Sequence, residues 1–270
     1  MGRTEQQADL INKIILSIVK HIPNAITCGN LLCGCLAIIR IFEGDLIMSA
    51  YLVGLAAVLD FLDGFAARML KAYSDIGKDL DSLADMVTFG VVPGLTMFKM
   101  LAFLTGGYAS GNLFEQARTN SSLLLPYAGL VIIIFSALRL AKFNNDTRQT
   151  DSFIGLPTPA NALLICSLPL VFNYGQAYQE MDYEMFSGFF TDANNLAIVA
   201  CFLSLLLVTE LPLFSLKFRN FGFKDNALRY GFLLLSICTL LLFGVAGIPL
   251  SIVFYILLSF VNNIFLKKEV

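Results

Sequence analysis

Of the 270 residues, 57% are hydrophobic and 14% charged, and the formal net charge is −2; mean hydropathy is +0.75. Soluble domains carry about 25% charged residues, so a soluble globular domain and a disordered chain are both excluded. The near-neutral charge offers no basic surface for nucleic acid.

Residues 1–9 are polar and do not read as a cleavable signal peptide. Leu10, Ile11, Ile14, Ile15 and Ile18 then recur at helical spacing, with Lys13 and Lys20 among them. This pattern predicts an amphipathic helix over residues 1–22, suited to lie on a membrane surface. The alternative is the opening of a longer helix. A bilayer-spanning helix needs about 20 apolar residues. Stretches that qualify run over 23–42, 46–70, 80–104, 122–143, 158–174, 195–214, 229–244 and 248–266, the last two split by a tight turn at Gly247 to Pro249. The predicted fold is an all-α integral membrane protein with about eight transmembrane helices plus the interfacial one. The expected organisation is the interfacial helix 1–22, a six-helix core 23–214 and two additional helices over 215–270.

With eight spans, both termini share one side, and that side collects 15 of the 18 Lys and Arg residues. Only Arg40, Lys99 and Arg118 fall opposite, where the long loop 175–194 carries Glu180, Asp182, Glu184 and Asp192 with no basic residue. The positive-inside rule puts both termini in the cytoplasm of a cell with a cytoplasmic (inner) membrane.

Asp60, Asp63, Asp81 and Asp85 stand at the inner ends of spans two and three. Carboxylates within a membrane are costly and point to function. The 14 residues from Leu46 to Leu59 rise only about 21 Å, against a hydrocarbon core of ~30 Å. Asp60 therefore needs a polar cavity open to the cytoplasm. Asp60 and Asp63 share a helix face at i,i+3, which Gly64, Ala67 and Arg68 extend; Gly77, Asp81 and Asp85 follow at i,i+4 steps on the next helix. The two helices are antiparallel neighbours, so the faces can meet. Four anions so close repel one another unless a divalent cation joins them, and an all-oxygen set suits Mg²⁺ or Mn²⁺. Gly64 and Ala67 leave room for a ligand, and Arg68 can meet a phosphate. Asp75 and Asp79 fall off this face and read as solvated turn residues.

Other features read as structural. Cys28, Cys33, Cys35, Cys166, Cys201 and Cys238 lie in or beside apolar stretches and form neither a disulfide framework nor a metal set. His21 is interfacial, Lys99 can snorkel outward, and Pro93-Gly94 should bend span three. Leu213 to Asp225, with Phe interleaved among Lys and Arg, suits either a headgroup-gripping loop or a plain positive-inside loop.

Asp60, Asp63, Gly64, Ala67, Arg68, Gly77, Asp81 and Asp85 spell D-x2-D-G-x2-A-R-x8-G-x3-D-x3-D. This resembles the signature of the CDP-alcohol phosphatidyltransferases at every fixed position. PNAIT (23–27), DSLADMVTFGVVP (81–93), ALRLAKFNND (137–146) and GLPTPANA (155–162) are similar to the serine-accepting subgroup, the bacterial and archaeal phosphatidylserine synthases. Where glycerol-phosphate members usually read LDPLADK, this chain reads LDSLADM, and Lys142 stands where Arg is commoner.

The resemblance implies transfer of a phosphatidyl group from CDP-diacylglycerol to the hydroxyl of L-serine, with release of CMP. It implies two Mg²⁺ or Mn²⁺ ions on Asp60, Asp63 and Asp81, with Asp85 completing the site and serving as candidate general base. It further implies a CDP pocket at Gly64, Ala67, Arg68 and Gly77, with Asn24 and Thr27 at its mouth. A homodimer in membrane lipid is the family expectation. The carboxylate of serine needs a cation: Arg139 and Lys142 are the candidates, unless both snorkel to headgroups. Asn144 can bond the amino acid or cap its helix. Other acceptors (inositol phosphate, glycerol phosphate, choline) and a divalent-cation transporter are the alternatives. The almost purely apolar outer halves of spans two, four and five give a transported ion no exit.

Overall fold

The computed structural model describes residues 2–106, 121–145, 152–178, 188–214, 222 and 226–265. Helix α1 (Gly2–Glu43) is continuous through Pro23, so the backbone over 2–20 joins span one without a break. Gly44, at φ +88°, turns the chain. The Asp45 side chain then caps α2 (Leu46–Met69) by accepting from the Met48 N–H. Helices α1 and α2 pack antiparallel through small residues, with Ala37, Ala50, Val53 and Ala56 buried between them and their neighbours.

Ser74 caps α3 (Asp75–Asp85) by accepting from the Gly77 N–H at 3.0 Å. Helix α3 runs into a π-helical turn, Met86–Val91, and then into α4 (Val92–Leu104). The break expected at Pro93 takes this form. Pro93 has no N–H to give, and the Val92 N–H reaches back five residues to the Val87 carbonyl.

A 3₁₀ turn (Ser121–Tyr127) leads to α5 (Ala128–Asn145). Strand β1 (Ser152–Ile154) precedes α6 (Thr158–Tyr178), and α7 (Ala193–Val208) precedes β2 (Pro212–Phe214). The two strands pair antiparallel, Phe153 opposite Leu213. The helix expected over 195–214 therefore stops at Val208. Thr209 turns extended (ψ 143°), and Pro212 can neither continue a helix nor leave its predecessor helical.

Helices α8 (Ala227–Phe243) and α9 (Gly247–Phe265) form a hairpin. Gly244 at φ +54° ends the first, and a Cβ on Gly247 would lie 2.5 Å from the Thr239 carbonyl oxygen. Across the hairpin, the Thr239 and Ser251 hydroxyls bond at 2.8 Å.

Five segments are long and apolar enough to cross a membrane: His21–Glu43, Leu46–Met69, Asp75–Leu104, Leu124–Asn145 and Ala227–Asn263, the last containing the hairpin. Thr158–Asn173 and Ala193–Val208 are apolar but shorter. Large apolar side chains face outward, among them Phe103 at 79% and Leu241 at 81% exposure. Water does not tolerate so much exposed apolar surface, but lipid does. The most enclosed segment is Asp75–Leu104. Met97, Leu101, Ile132, Ile165, Leu168, Leu196 and Leu207 pack around and beside it, and Tyr255 of α9 joins the same cluster.

Candidate metal and acceptor site

Three close helix contacts set the site. A Cβ on Gly34 of α1 would collide with Thr88 of the π turn, whose hydroxyl donates to the Asn30 carbonyl at 3.3 Å. A Cβ on Gly77 would lie 2.9 Å from Asn24 Oδ1, so α3 also meets α1 through a glycine. Helices α4 and α5 touch backbone to backbone: a Cβ on Gly129 would lie 2.5 Å from the Gly94 carbonyl and 2.6 Å from the Phe98 nitrogen. Together with the packing of α2 on α1, these contacts draw α1, α2, α3 and α5 around one set of polar side chains.

Asp60, Asp63 and Asp81 each bring a carboxylate oxygen within 4.8 Å of the other two. Asp63 is buried and accepts from Thr27 Oγ1 at 2.7 Å. Asp85 lies outside this group, within electrostatic reach of all three and of Arg139. Its Oδ1 faces the Asn30 amide nitrogen across 3.5 Å. Asp75 and Asp79 are exposed and outside the cluster. Among the described residues no lysine or arginine lies within ion-pair distance of the four aspartates. Three carboxylates converging in a membrane without a basic partner fit a hard divalent cation, with all-oxygen donors and no sulfur or imidazole.

The Arg68 guanidinium folds back over Gly64: a Cβ there would lie 3.6 Å from Nη1. Gly64 and Ala67 are half-buried, and Arg68 is exposed. Arg139 is only 6% exposed; its Nε has no hydrogen-bond partner, and its guanidinium stands 5.8 Å from the centre of the Phe143 ring. Tyr255 lies within its electrostatic reach. Lys142 points elsewhere, donating at 3.5 Å to the Val208 carbonyl at the end of α7. Asn144 bonds Ser82 at 2.9 Å through its side-chain amide nitrogen, and its backbone carbonyl accepts from Lys78 Nζ at 3.3 Å. It ties α5 to the residue next to Asp81.

Asn30 and Ser82 do not stand out in the sequence. The signal for Asn30 is its spacing, three residues after Thr27 on the buried face of an apolar span. His21 is exposed, and the six cysteines are free thiols. Most of the aromatic-basic stretch 213–225 lies outside the described residues.

The structure is thus a predominantly helical membrane bundle that converges carboxylates from two antiparallel helices beside small-residue surfaces and a buried arginine. The chain belongs to the CDP-alcohol phosphatidyltransferase family, whose model matches residues 20–206. It is 35% identical over 159 residues to the CDP-diacylglycerol–serine O-phosphatidyltransferase of Bacillus subtilis, covering 57% of this chain and 78% of that one. It is 33% identical over 171 residues to the protein of the same name from Helicobacter pylori, covering 62% and 65%. For that of Methanocaldococcus jannaschii the identity is 35% over 144 residues, covering 53% and 58%. The match thus spans less than two thirds of the length of the latter two relatives.

Proposed function

We propose that this chain transfers the phosphatidyl group of CDP-diacylglycerol to the hydroxyl of L-serine, giving phosphatidylserine and CMP. The observation that carries the choice of acceptor is Arg139, a buried guanidinium with an unpaired Nε beside Asp85. A cation held there suits an acceptor that brings its own carboxylate. The names of the three relatives support the same reading.

In this reading Asp60, Asp63 and Asp81 hold the divalent cation, Mg²⁺ or Mn²⁺. When bound, the metal offsets charge on the pyrophosphate and on the leaving phosphate oxygen. Asp85, next to that group and facing Asn30, takes the proton of the serine hydroxyl. The serine oxygen bonds to the phosphorus that carries diacylglycerol, the bond from that phosphorus to the bridging oxygen breaks, and CMP leaves. A carboxylate is a weak base, so orientation of the two substrates contributes much of the acceleration.

Gly64, Ala67, Gly77 and Arg68 line the CDP side, with Asn24 at its edge. Thr27 acts on that side through Asp63, which it holds by a hydrogen bond. Arg139 receives the serine carboxylate. Lys142 and Asn144, engaged with Val208 and Ser82, shape the cytoplasmic rim. The chain crosses the membrane eight times with both termini and the site on the cytoplasmic side. Its first helix continues the first span beyond the interface rather than lying along it, and two copies associate.

The test is purified protein with CDP-diacylglycerol, Mg²⁺ or Mn²⁺, and a panel of L-serine, glycerol phosphate, inositol phosphate and choline, scored by the lipid made. Phosphatidylserine as the main product, lost in EDTA and restored by either metal, supports the reading. A different lipid reassigns the acceptor, and full activity in chelator removes the metal.

A further inference from the structure

Asn30 is fully buried in the first span. Its backbone carbonyl is bonded by Thr88, and the close approach at Gly34 fixes the π turn against α1. The Asn30 amide nitrogen donates to Asp85 Oδ1 at 3.5 Å. That leaves Asn30 Oδ1 pointing away from Asp85, buried and without a donor. A buried carbonyl oxygen with no donor is costly in free energy, and such an oxygen beside a reaction centre is suited to a ligand that brings a donor.

We propose that Asn30 Oδ1 receives the ammonium group of the acceptor amino acid; this rests on the serine reading above. In serine the hydroxyl, ammonium and carboxylate stem from three consecutive carbons, so all three must be met within a small volume. Asp85 faces the hydroxyl, Arg139 the carboxylate, and Asn30, adjacent to Asp85, the ammonium. The three protein groups come from α3, α5 and α1, so the acceptor is read where these helices meet. The arrangement selects against alcohols lacking either charge. Without an ammonium, Asn30 Oδ1 stays orphaned; without a carboxylate, the Arg139 Nε stays unpaired.

The test uses the full-length protein in lipid nanodiscs with CDP-diacylglycerol and Mn²⁺. Two acceptor-site ligands are compared: L-serine, and 3-hydroxypropionate, which keeps the hydroxyl and carboxylate but lacks the ammonium. Asn30→Leu, close in shape, and Asn30→Ala, which cannot clash, are both measured. The expected result is a serine KM raised roughly ten- to hundredfold, with the inhibition constant of 3-hydroxypropionate within about threefold of the unsubstituted protein. Equal weakening of both ligands, or a fall in kcat alone, would mean that Asn30 only positions Asp85, and overturns the proposal. An unchanged serine KM overturns it as well. If the unsubstituted protein fails to use serine, the acceptor reading itself falls, and that failure shows before any variant is made.

Discussion

Asp63 is the most restrained of the three clustered carboxylates. It is buried, and Thr27 donates to its Oδ2 at 2.7 Å, whereas Asp60 and Asp81 are half-buried. The aspartates are legible in the sequence because a carboxylate in an apolar helix has no packing role to explain it. Thr27 and Asn30 are less so. A single Thr or Asn in an apolar span is compatible with any helix face, and only the meeting of α1 with α2 and α3 turns the pair toward the carboxylates. Asp60→Asn or Asp81→Asn removes charge from the group without changing its shape. Either should abolish metal-dependent CMP release while the protein remains folded by circular dichroism. Asp79→Asn, exposed and outside the cluster, should retain near-normal rates; a loss there equal to that of Asp81→Asn would redraw the site. At Arg139, truncation to Ala should remove a charge-assisted hydrogen bond worth ~1.5–3 kcal/mol. Serine KM then rises roughly ten- to hundredfold while CDP-diacylglycerol binding is kept. Lys142→Ala should change it less. Lost nucleotide binding with serine affinity intact would move Arg139 to the donor pocket.

The elements depend on how helix ends are made, and here sequence and structure part at identifiable residues. The turn between the two carboxylate helices closes through Lys71 at φ +50°. The Ala72 N–H bonds the Ala67 carbonyl and the Lys71 N–H bonds that of Arg68, a pattern usually completed by glycine. A side chain in the left-handed region costs about 1–2 kcal/mol, of which the extra chain entropy of glycine takes back about 0.5–1. Lys71→Gly should therefore stabilise the protein by about 0.5–1 kcal/mol, visible as a higher unfolding midpoint in detergent; a lower midpoint would show that the lysine side chain contributes at this turn. The π turn has no legible period and is foreshadowed only by Pro93. The β1–β2 pairing is likewise hidden, since each strand has three residues. The glycine crossing of α4 and α5 is a sharper dependence. Gly129→Ala puts a methyl group against the Gly94 and Phe98 backbone, where neither side can yield. Overpacking of about 1–3 kcal/mol is expected, with a fall in activity as Arg139, three turns along the same helix, is displaced. Gly54→Ala, with nothing within 4 Å of the added carbon, is the control and should be neutral or slightly stabilising. If both variants behave alike, the crossing does not set the site.

At the scale of the whole molecule, the outward-facing Leu and Phe side chains and the polar cluster held at one end of the bundle follow from one fact: lipid, not water, is the solvent. Five apolar segments long enough to cross a membrane stand where hydropathy predicts spans, whereas the segment predicted over 195–214 ends as a helix at Val208. Composition alone cannot say whether the 37-residue stretch Ala227–Asn263 crosses once or twice, and this decides which side holds the C-terminus. The break at Gly244, the Gly247 contact and the Thr239–Ser251 bond fold the stretch into two antiparallel helices, which favours two crossings. In the proposed topology, two crossings there put both ends on the Lys- and Arg-rich side, taken as the cytoplasm. In a cysteine-free background, single cysteines replace Glu43, Phe243, Lys142 and Lys267 and are challenged on intact cells with a membrane-impermeant thiol reagent. Glu43→Cys, at the turn between α1 and α2, and Phe243→Cys, at the hairpin tip, should label from outside. Lys142→Cys and Lys267→Cys should label only after the membrane is opened. External labelling of Lys267→Cys with Phe243→Cys protected would make the hairpin a single crossing. External labelling of Lys142→Cys would invert the molecule and turn the carboxylates away from the cytoplasm, where a CDP-linked donor could not reach them.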